Sequence, residues 1–470
     1  MTALTAGLRD ALGAEAVLTS AAERAPYERD WRGLVNNPAL AVLLPRSPEQ
    51  IAAAVKLCAA HGARIVPQGG NTSLVAGGVP APGGDQVIIS FSRLRAVRGI
   101  DPAGDTITVE AGLTLAELQG EAARAGRFFP VSLGAEGTAE IGGVISTNAG
   151  GLQVLSYGNM RAQVLGLEVV LADGAIWHGL SALRKDNTGY DLKQLFIGAE
   201  GTLGLITAAT LRLYPPIAAR AAALAGITTL AAGLEVFATL RHAAGPSLTM
   251  CEFCSGTALA LGAAQLPGAR LPFAAPAYLL VEISALAGGR EPGEILEAVL
   301  AGELAQGRVG EAVIAQSERE RLDLIALREA ISEGELRAGG AVKHDIAVPL
   351  SRLPETIAAV EALVARKYPG FRLNIFGHVG DGNLHVNVLP PQGRGLAEIG
   401  SIKAEISADI EALAVQMHGS FSAEHGIGQL RLSAMAAHKS PVELAMMRAI
   451  KRAFDPDGLF NPGKTIPETT

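Results

Sequence analysis

Cysteine is scarce in this chain, with three among 470 residues. That excludes a disulfide framework and suits a reducing, cytoplasmic compartment. Aromatic residues reach only 4 % and the net charge is −7, with no basic block or aromatic-spaced basic stripe. A nucleic-acid surface is therefore not expected. No long apolar run occurs. The most apolar stretch, 221–234, contains Gly226, Thr228 and Thr229 and lies between Arg220 and Glu235. It is too short to span a bilayer. The first residues include Asp10 and lack an apolar h-region, so no secretory signal is expected.

What is present is the profile of a folded protein, 49 % apolar and 18 % charged. The length exceeds one ordinary core. Strand, helix and strand are expected over 39–66, with Ser47-Pro48-Glu49-Gln50 as a helix start. Further strands are expected near 86–91, 106–110, 164–171 and 203–213. Tyr214-Pro215-Pro216 breaks this pattern and marks a boundary. Beyond it, strands near 220–226, 249–255, 277–285, 310–316, 342–348 and 372–388 alternate with helices, an α+β layer on an antiparallel sheet. The expected parts are 1–216, 217–418 and a short tail, 419–470, that must pack on the others. Cys251-x-x-Cys254 reads as strand, with its two thiols on opposite faces, and not as a redox motif.

Two segments carry candidate chemistry. In N-I-F-G-H-V-G-D-G-N-L-H-V-N (374–387), alternation stops at Gly-Asp-Gly-Asn and resumes at Leu384. That predicts a hairpin with Asp381-Gly382 in a type I′ turn and His378 opposite His385, with Asn387 on the same face. Two imidazoles on stiff strands form half of a metal site. Glu424, His425 or both, from S-A-E-H-G-I-G (422–428), can complete it. Histidine and carboxylate ligands suit Zn²⁺ and, less selectively, Mn²⁺, Co²⁺ or Fe²⁺.

Glycine loops form the second group. P-Q-G-G-N-T-S (67–73) follows a strand, where consecutive glycines let the backbone approach a ligand and cradle a pyrophosphate. G-A-E-G-T-A-E-I-G-G-V-I-S-T-N-A-G-G (134–151) and K-D-N-T-G-Y-D-L-K-Q-L-F-I-G-A-E-G-T-L-G-L-I-T (185–207) follow. Three such segments in one domain imply a large ligand with an extended backbone.

Together these segments resemble the FAD domain of the vanillyl-alcohol oxidase / p-cresol methylhydroxylase superfamily. The hairpin, S-A-E-H-G-I-G and the terminal F-D-P-D-G-L-F-N-P-G-K resemble its FAD-dependent D-2-hydroxyacid dehydrogenases, the D-2-hydroxyglutarate branch in particular. The resemblance runs from about residue 35 to the end. It implies an α+β fold: a two-subdomain FAD-binding domain, an α+β cap of antiparallel sheet and helices, and a C-terminal segment that packs back on the flavin domain. The first loop lacks the His to which some members tether flavin, so non-covalent FAD is implied. The resemblance places FAD on Pro67, Gly69, Gly70, Asn71, Thr72 and Ser73, then on Leu133, Gly137, Gly142, Gly143, Thr147, Asn148, Gly151, Tyr157 and Gly158. Glu200, Gly201, Ile206 and the asparagine of Asn461-Pro462-Gly463-Lys464 follow.

On the substrate side the resemblance assigns a divalent metal, zinc first, to His378, His385 and Glu424. His425 becomes the general base and a substrate contact. Asn387 faces the substrate carboxylate, and Arg328, Ser332 and Lys343 hold the far carboxylate of a diacid. Arg328 and Ser332 lie four apart on an expected helix, hence on one face. Ser332 stands where the family pattern has Thr, which loosens the expectation about substrate range.

The implied reaction oxidises D-2-hydroxyglutarate, and D-malate as a further substrate, to the 2-keto acid. The hydroxyl loses its proton and C2 a hydride, which goes to flavin N5. Electrons then pass to an electron-transfer flavoprotein or quinone, and a homodimer is compatible with the resemblance. The alternatives are a D-lactate or glycolate dehydrogenase, a non-catalytic flavin electron-transfer subunit, and a non-haem iron oxygenase.

Overall fold

A computed structural model describes residues 2–468. The chain forms two compact bodies. The first comprises residues up to 151, 158–216 and 424 onward. It holds two sheets. One has the order β1-β2-β4-β3, from Val17–Leu18 (β1), Ala41–Leu43 (β2), Arg64–Gln68 (β3) and Gln86–Ser90 (β4). β2 and β3 each run parallel to β4, the fully buried central strand. The helix Pro48–Ala60 crosses between β2 and β3 as expected, and the Ser47 hydroxyl accepts from Gln50 N–H at 3.3 Å. The other sheet is antiparallel, with the order β5-β6-β9-β7-β8. Its strands are Val97–Asp101 (β5), Thr106–Glu110 (β6), Val164–Val170 (β7), Ile176–Gly179 (β8) and Leu205–Arg212 (β9). Thr114 and Glu117 cap the helix Leu115–Arg124 reciprocally. Separate hydrophobic cores lie under the two sheets, one around Ile51, Val87 and Ile89, the other around Ile107, Leu118 and Leu167.

Residues 455–461 are pinned to the first sheet. Asp455 accepts from Leu459 N–H and Phe460 N–H at 2.8 and 2.7 Å, and Asn461 N–H donates to Ile65 in β3 at 2.7 Å. The helices Thr2–Leu12 and Pro441–Phe454 were not expected from the sequence pattern.

The second body contains residues 152–157 and 217–423. Its seven strands are Ala219–Ile227 (β10), Leu248–Ser255 (β11), Ala277–Ala285 (β12), Val309–Ile314 (β13), Val342–Ala347 (β14), Arg372–His378 (β15) and Asn383–Leu389 (β16). They form one antiparallel sheet in the order β13-β10-β12-β11-β15-β16-β14. Helices including Leu230–Ala244, Pro292–Ala305, Leu353–Lys367 and Ile402–Gln416 bury one face. Cys251 packs in that core and Cys254 in the core of the opposite face, as a strand requires. All three cysteines are free and buried, and burial pushes the Cys254 thiol up to about 12. A redox role is thereby disfavoured.

The β15–β16 hairpin departs from the expected register. Phe376, not His378, lies opposite His385, and Asn374 lies opposite Asn387. The connection is the four residues 379–382, in which Gly382 has φ +83° while Asp381 does not adopt positive φ. The reason is a neighbouring strand end: Val348 N–H donates to Gly382 O at 3.0 Å, which draws the loop toward β14. The shift is two residues. Side chains alternate with period two, so each imidazole keeps its face. No helix among the described residues is long and apolar enough to cross a membrane.

Candidate active site

In the first body a cavity of about 320 Å³ is lined by all three glycine segments. Pro67 at the end of β3 leads into Gly69, Gly70, Asn71, Thr72 and Ser73, all in its wall. Leu133 lines it just before the second segment, Gly142, Gly143, Thr147 and Gly151 within it, and Glu200, Gly201 and Ile206 from the third. Glycine is required where these segments meet. A Cβ on Gly70 would sit 1.7 Å from Thr138 O, and one on Gly151 (φ +116°) would sit 1.8 Å from Ser132 O. Walls of glycine from three segments let the backbone approach an extended cofactor such as FAD.

Other expected cofactor residues lie outside the wall. Gly137, Asn148 and Gly158 are in the first body without lining the cavity, and Tyr157 belongs to the second body. Asn148 Oδ1 accepts from Arg161 N–H at 2.9 Å. Asn461 acts as a clamp instead, donating to Glu200 O at 2.7 Å and Gly77 O at 3.2 Å.

Glu140 lines the cavity and was not singled out from sequence. One carboxyl oxygen, Oε2, is buried without a hydrogen-bond partner. Burial pushes this carboxyl up to about 8, with opposing influences from Arg95 and Glu117. Glu200 is also buried, and its carboxylate accepts from Ile427 N–H at 2.9 Å and Gly428 N–H at 2.7 Å. It thereby holds the loop that starts with Glu424-His425, both of which line the cavity. Glu424 Oε1 accepts from Gly151 N–H at 3.3 Å. Burial pushes Glu200 up and Lys464 down to about 7.

In the second body the two histidines expected to form half of a metal site come from neighbouring strands. The rings of His378 and His385 stand 5.6 Å apart, centroid to centroid, at 79°. Each is backed by a buried carboxylate that the sequence pattern did not reveal. Glu252 in β11 lies directly opposite His378 and takes its Nδ1–H at 2.5 Å. Asp345 in β14 lies opposite His385, 3.7 Å from its Nδ1. The Glu252–His378 hydrogen bond is the kind of contact that orients an imidazole toward a metal, whereas the Asp345–His385 approach is longer than a hydrogen bond. Burial raises the Glu252 carboxyl, but the charges and hydrogen bonds of His378 and Arg328 prevail and hold it at about 2.

The expected diacid clamp is distributed. Arg328 Nε donates to Glu252 Oε2 at 2.7 Å, with the guanidinium 5.2 Å from the Phe376 ring centre. Lys343 pairs with Glu335 at 2.8 Å. The expected single helix is divided at Ala330, into Glu318–Glu329 and Ile331–Arg337, and Ser332 is exposed. Asn387 and Asn374 each donate to Glu335 Oε1 at 2.6 Å, and Asn387 Oδ1 accepts from His344 N–H at 3.3 Å. Glu335, fully buried, is therefore the hub of this corner and another residue missed from sequence.

Known proteins agree with this architecture. Residues 39–179 match the FAD binding domain family, and 217–465 match the FAD linked oxidases, C-terminal domain. The chain is 38 % identical over 462 residues to the D-2-hydroxyglutarate dehydrogenase of Xanthomonas citri pv. viticola, covering 97 % of this chain and 95 % of that one. It is 36 % identical to the mitochondrial D-2-hydroxyglutarate dehydrogenase of Bos taurus, covering 96 % and 81 %. Among solved structures, p-cresol methylhydroxylase with substrate bound superimposes with a TM-score of 0.77 at 16 % identity, over 99 % of this chain and 97 % of that one.

Proposed function

Because this chain belongs to the FAD-linked oxidases and is an FAD-dependent hydroxyacid dehydrogenase among them, we propose that it oxidises D-2-hydroxyglutarate to 2-oxoglutarate with a divalent cation, zinc first, held by His378, His385 and Glu424. One observation carries this reading. The two imidazoles stand side by side on a sheet face, each backed by a buried carboxylate. The chain that pairs with that sheet at Asp345, through Ser422 and Ala423, continues directly into Glu424-His425.

Each residue then has a task. His425, in the wall of the cofactor cavity, takes the substrate's hydroxyl proton, since a neutral imidazole near pH 7 suits a general base. C2 loses its hydrogen with two electrons, which balances conversion of the alcohol to the ketone. Bound non-covalently, FAD supplies the two-electron acceptor for that hydride. The divalent cation supplies Lewis acidity that lowers the hydroxyl pKa. Arg328 and Lys343 attract the far carboxylate and Asn387 helps place the near one. D-malate, one carbon shorter, is a further substrate, and the electrons would leave for an electron-transfer flavoprotein or quinone, in the cytoplasm.

A second reading has one observation in its favour. Arg328 and Lys343 already face Glu252 and Glu335, and Ser332 is exposed. A smaller monoacid such as D-lactate or glycolate would need no clamp at all.

Anaerobic bleaching of the flavin absorbance by a panel of D- and L-2-hydroxy acids, before and after chelation and zinc return, decides between these. The proposal expects D-2-hydroxyglutarate to bleach fastest and chelation to abolish it. Bleaching by L-acids, or indifference to chelation, would sink it. Preference for D-lactate would favour the second reading.

A further inference from the structure

We propose that Glu252 is a positioning residue that couples the cation half of the substrate site to the diacid half, so that one carboxylate sets both the metal-facing orientation of His378 and the substrate-facing orientation of Arg328. The inference deepens the function proposed above and rests on it.

The geometry is specific. Glu252 sits in β11 directly across from His378 in β15, with its side chain almost wholly out of solvent. Its two oxygens are divided between two partners. Oε1 takes the His378 Nδ1–H at 2.5 Å, and Oε2 takes the Arg328 Nε–H at 2.7 Å. Taking Nδ1–H fixes the imidazole tautomer and turns Nε2 outward as the ligating atom. Taking Nε–H grips one edge of a planar guanidinium. Its other edge has the geometry for bidentate contact with a carboxylate. Phe376 braces the same group from below, its ring 5.2 Å from Arg328 Cζ and 5.0 Å from the His385 ring. A rigid strand thus spaces a metal-ligand imidazole and an anion-binding cation through a single shared anion. The consequence is a ruler: a substrate with a second carboxylate at the right distance from its hydroxyl satisfies both halves, and a monoacid uses only one.

The alternative is a carboxylate that merely neutralises a buried arginine. The two differ in what moves when the charge is removed. The test compares wild-type holoenzyme with Glu252→Gln, Glu252→Asp and His378→Ala. Zinc affinity is read by competition with a chromogenic chelator, and anaerobic flavin reduction is followed with D-2-hydroxyglutarate and D-lactate. For Glu252→Gln the expectation is a 10- to 100-fold weaker zinc affinity, the usual effect of removing a ligand's orienting partner. A roughly tenfold or greater loss of preference for the diacid over the monoacid should accompany it. A change in only one of these readouts overturns the coupling. If zinc affinity and substrate preference both hold in Glu252→Gln while His378→Ala loses zinc, the proposal fails and the cation reading stands. A wild-type protein that takes up no zinc overturns both. Should Glu252→Gln not fold, Glu252→Asp carries the test. Its carboxylate keeps the charge but is one methylene short, so it reaches one partner at a time. One readout should fall and the other hold; two unchanged readouts overturn the proposal.

Discussion

The cavity of the first body and the polar sheet face of the second are built by opposite means. The cavity is made by leaving side chains out. Its walls are backbone brought so close at Gly70 and Gly151 that a methyl group would overlap a carbonyl oxygen. The sheet face is made by adding side chains in complementary pairs: Glu252 with His378 and Arg328, Glu335 with Lys343, Asn374 and Asn387, Asp345 with His385. The first should fail through bulk and the second through unbalanced charge or an orphaned hydrogen bond.

The largest effect is expected at His425, where a side chain stands in the glycine-built wall. His425→Ala should lower the rate of flavin reduction by about 10²–10⁴-fold while flavin content stays at wild-type level. A variant with normal bleaching would remove His425 from proton transfer. Loss of flavin together with rate would make the residue part of the wall instead.

Next is Glu335→Ala in the second body. It leaves two buried asparagine amides and Lys343 without their carboxylate, and about 3 kcal/mol of stability should be lost. Denaturant unfolding measures this. A change below about 0.5 kcal/mol, the range of ordinary surface substitutions, would show that water replaces the carboxylate and that this corner is not a closed network.

The same contrast explains what could be read in advance. Glycine segments are local, and so were the cavity's main contributors, from Pro67 to Ile206. The expected strands of the second body fell within a few residues of those observed, because alternation is also local. The hairpin register was not legible, since the bond from Val348 that draws the loop aside comes from a strand more than thirty residues earlier. Parity survived that error, which is why His378 and His385 still share a face. Glu252 and Glu335 were illegible for a stronger reason. Glu252 lies 126 positions from His378, and Glu335 lies 39 and 52 positions from Asn374 and Asn387. No spacing rule within a segment connects such partners. At Gly137, in the second segment, an added Cβ would meet nothing within 4 Å, whereas at Gly70 it would meet Thr138 O at 1.7 Å.

That pair of glycines sharpens the comparison at a smaller scale. Gly70→Ala forces Thr138 away and should destabilise by about 1–3 kcal/mol, with lower flavin content. Gly137→Ala should change stability by no more than about 0.5 kcal/mol. Thermal unfolding and the flavin-to-protein absorbance ratio measure both. Equal effects at the two positions would mean that glycine density, not the approach of the loops, governs this wall.

A pH-dependent effect is expected at Glu140, which shares the wall with Glu200 and Glu424. Its carboxyl, pushed up to about 8 by burial, holds its proton more tightly in the folded chain than in the unfolded one. Folding stability from this group is therefore fully present near pH 4 and declines as pH rises through 8. The shift sets an upper limit of roughly 5 kcal/mol, and water entering the open cavity lowers it by screening. Arg95, which favours the charged form, and Glu117, which opposes it, both modulate the decline. Glu140→Gln keeps the shape and cannot ionise. Its melting temperature should match wild type near pH 5 and exceed it near pH 9. A wild-type advantage at pH 9 would reverse the sign and mean that the ionised carboxylate has a partner in the loaded cavity, making this corner of the wall as side-chain-dependent as the sheet face of the other body.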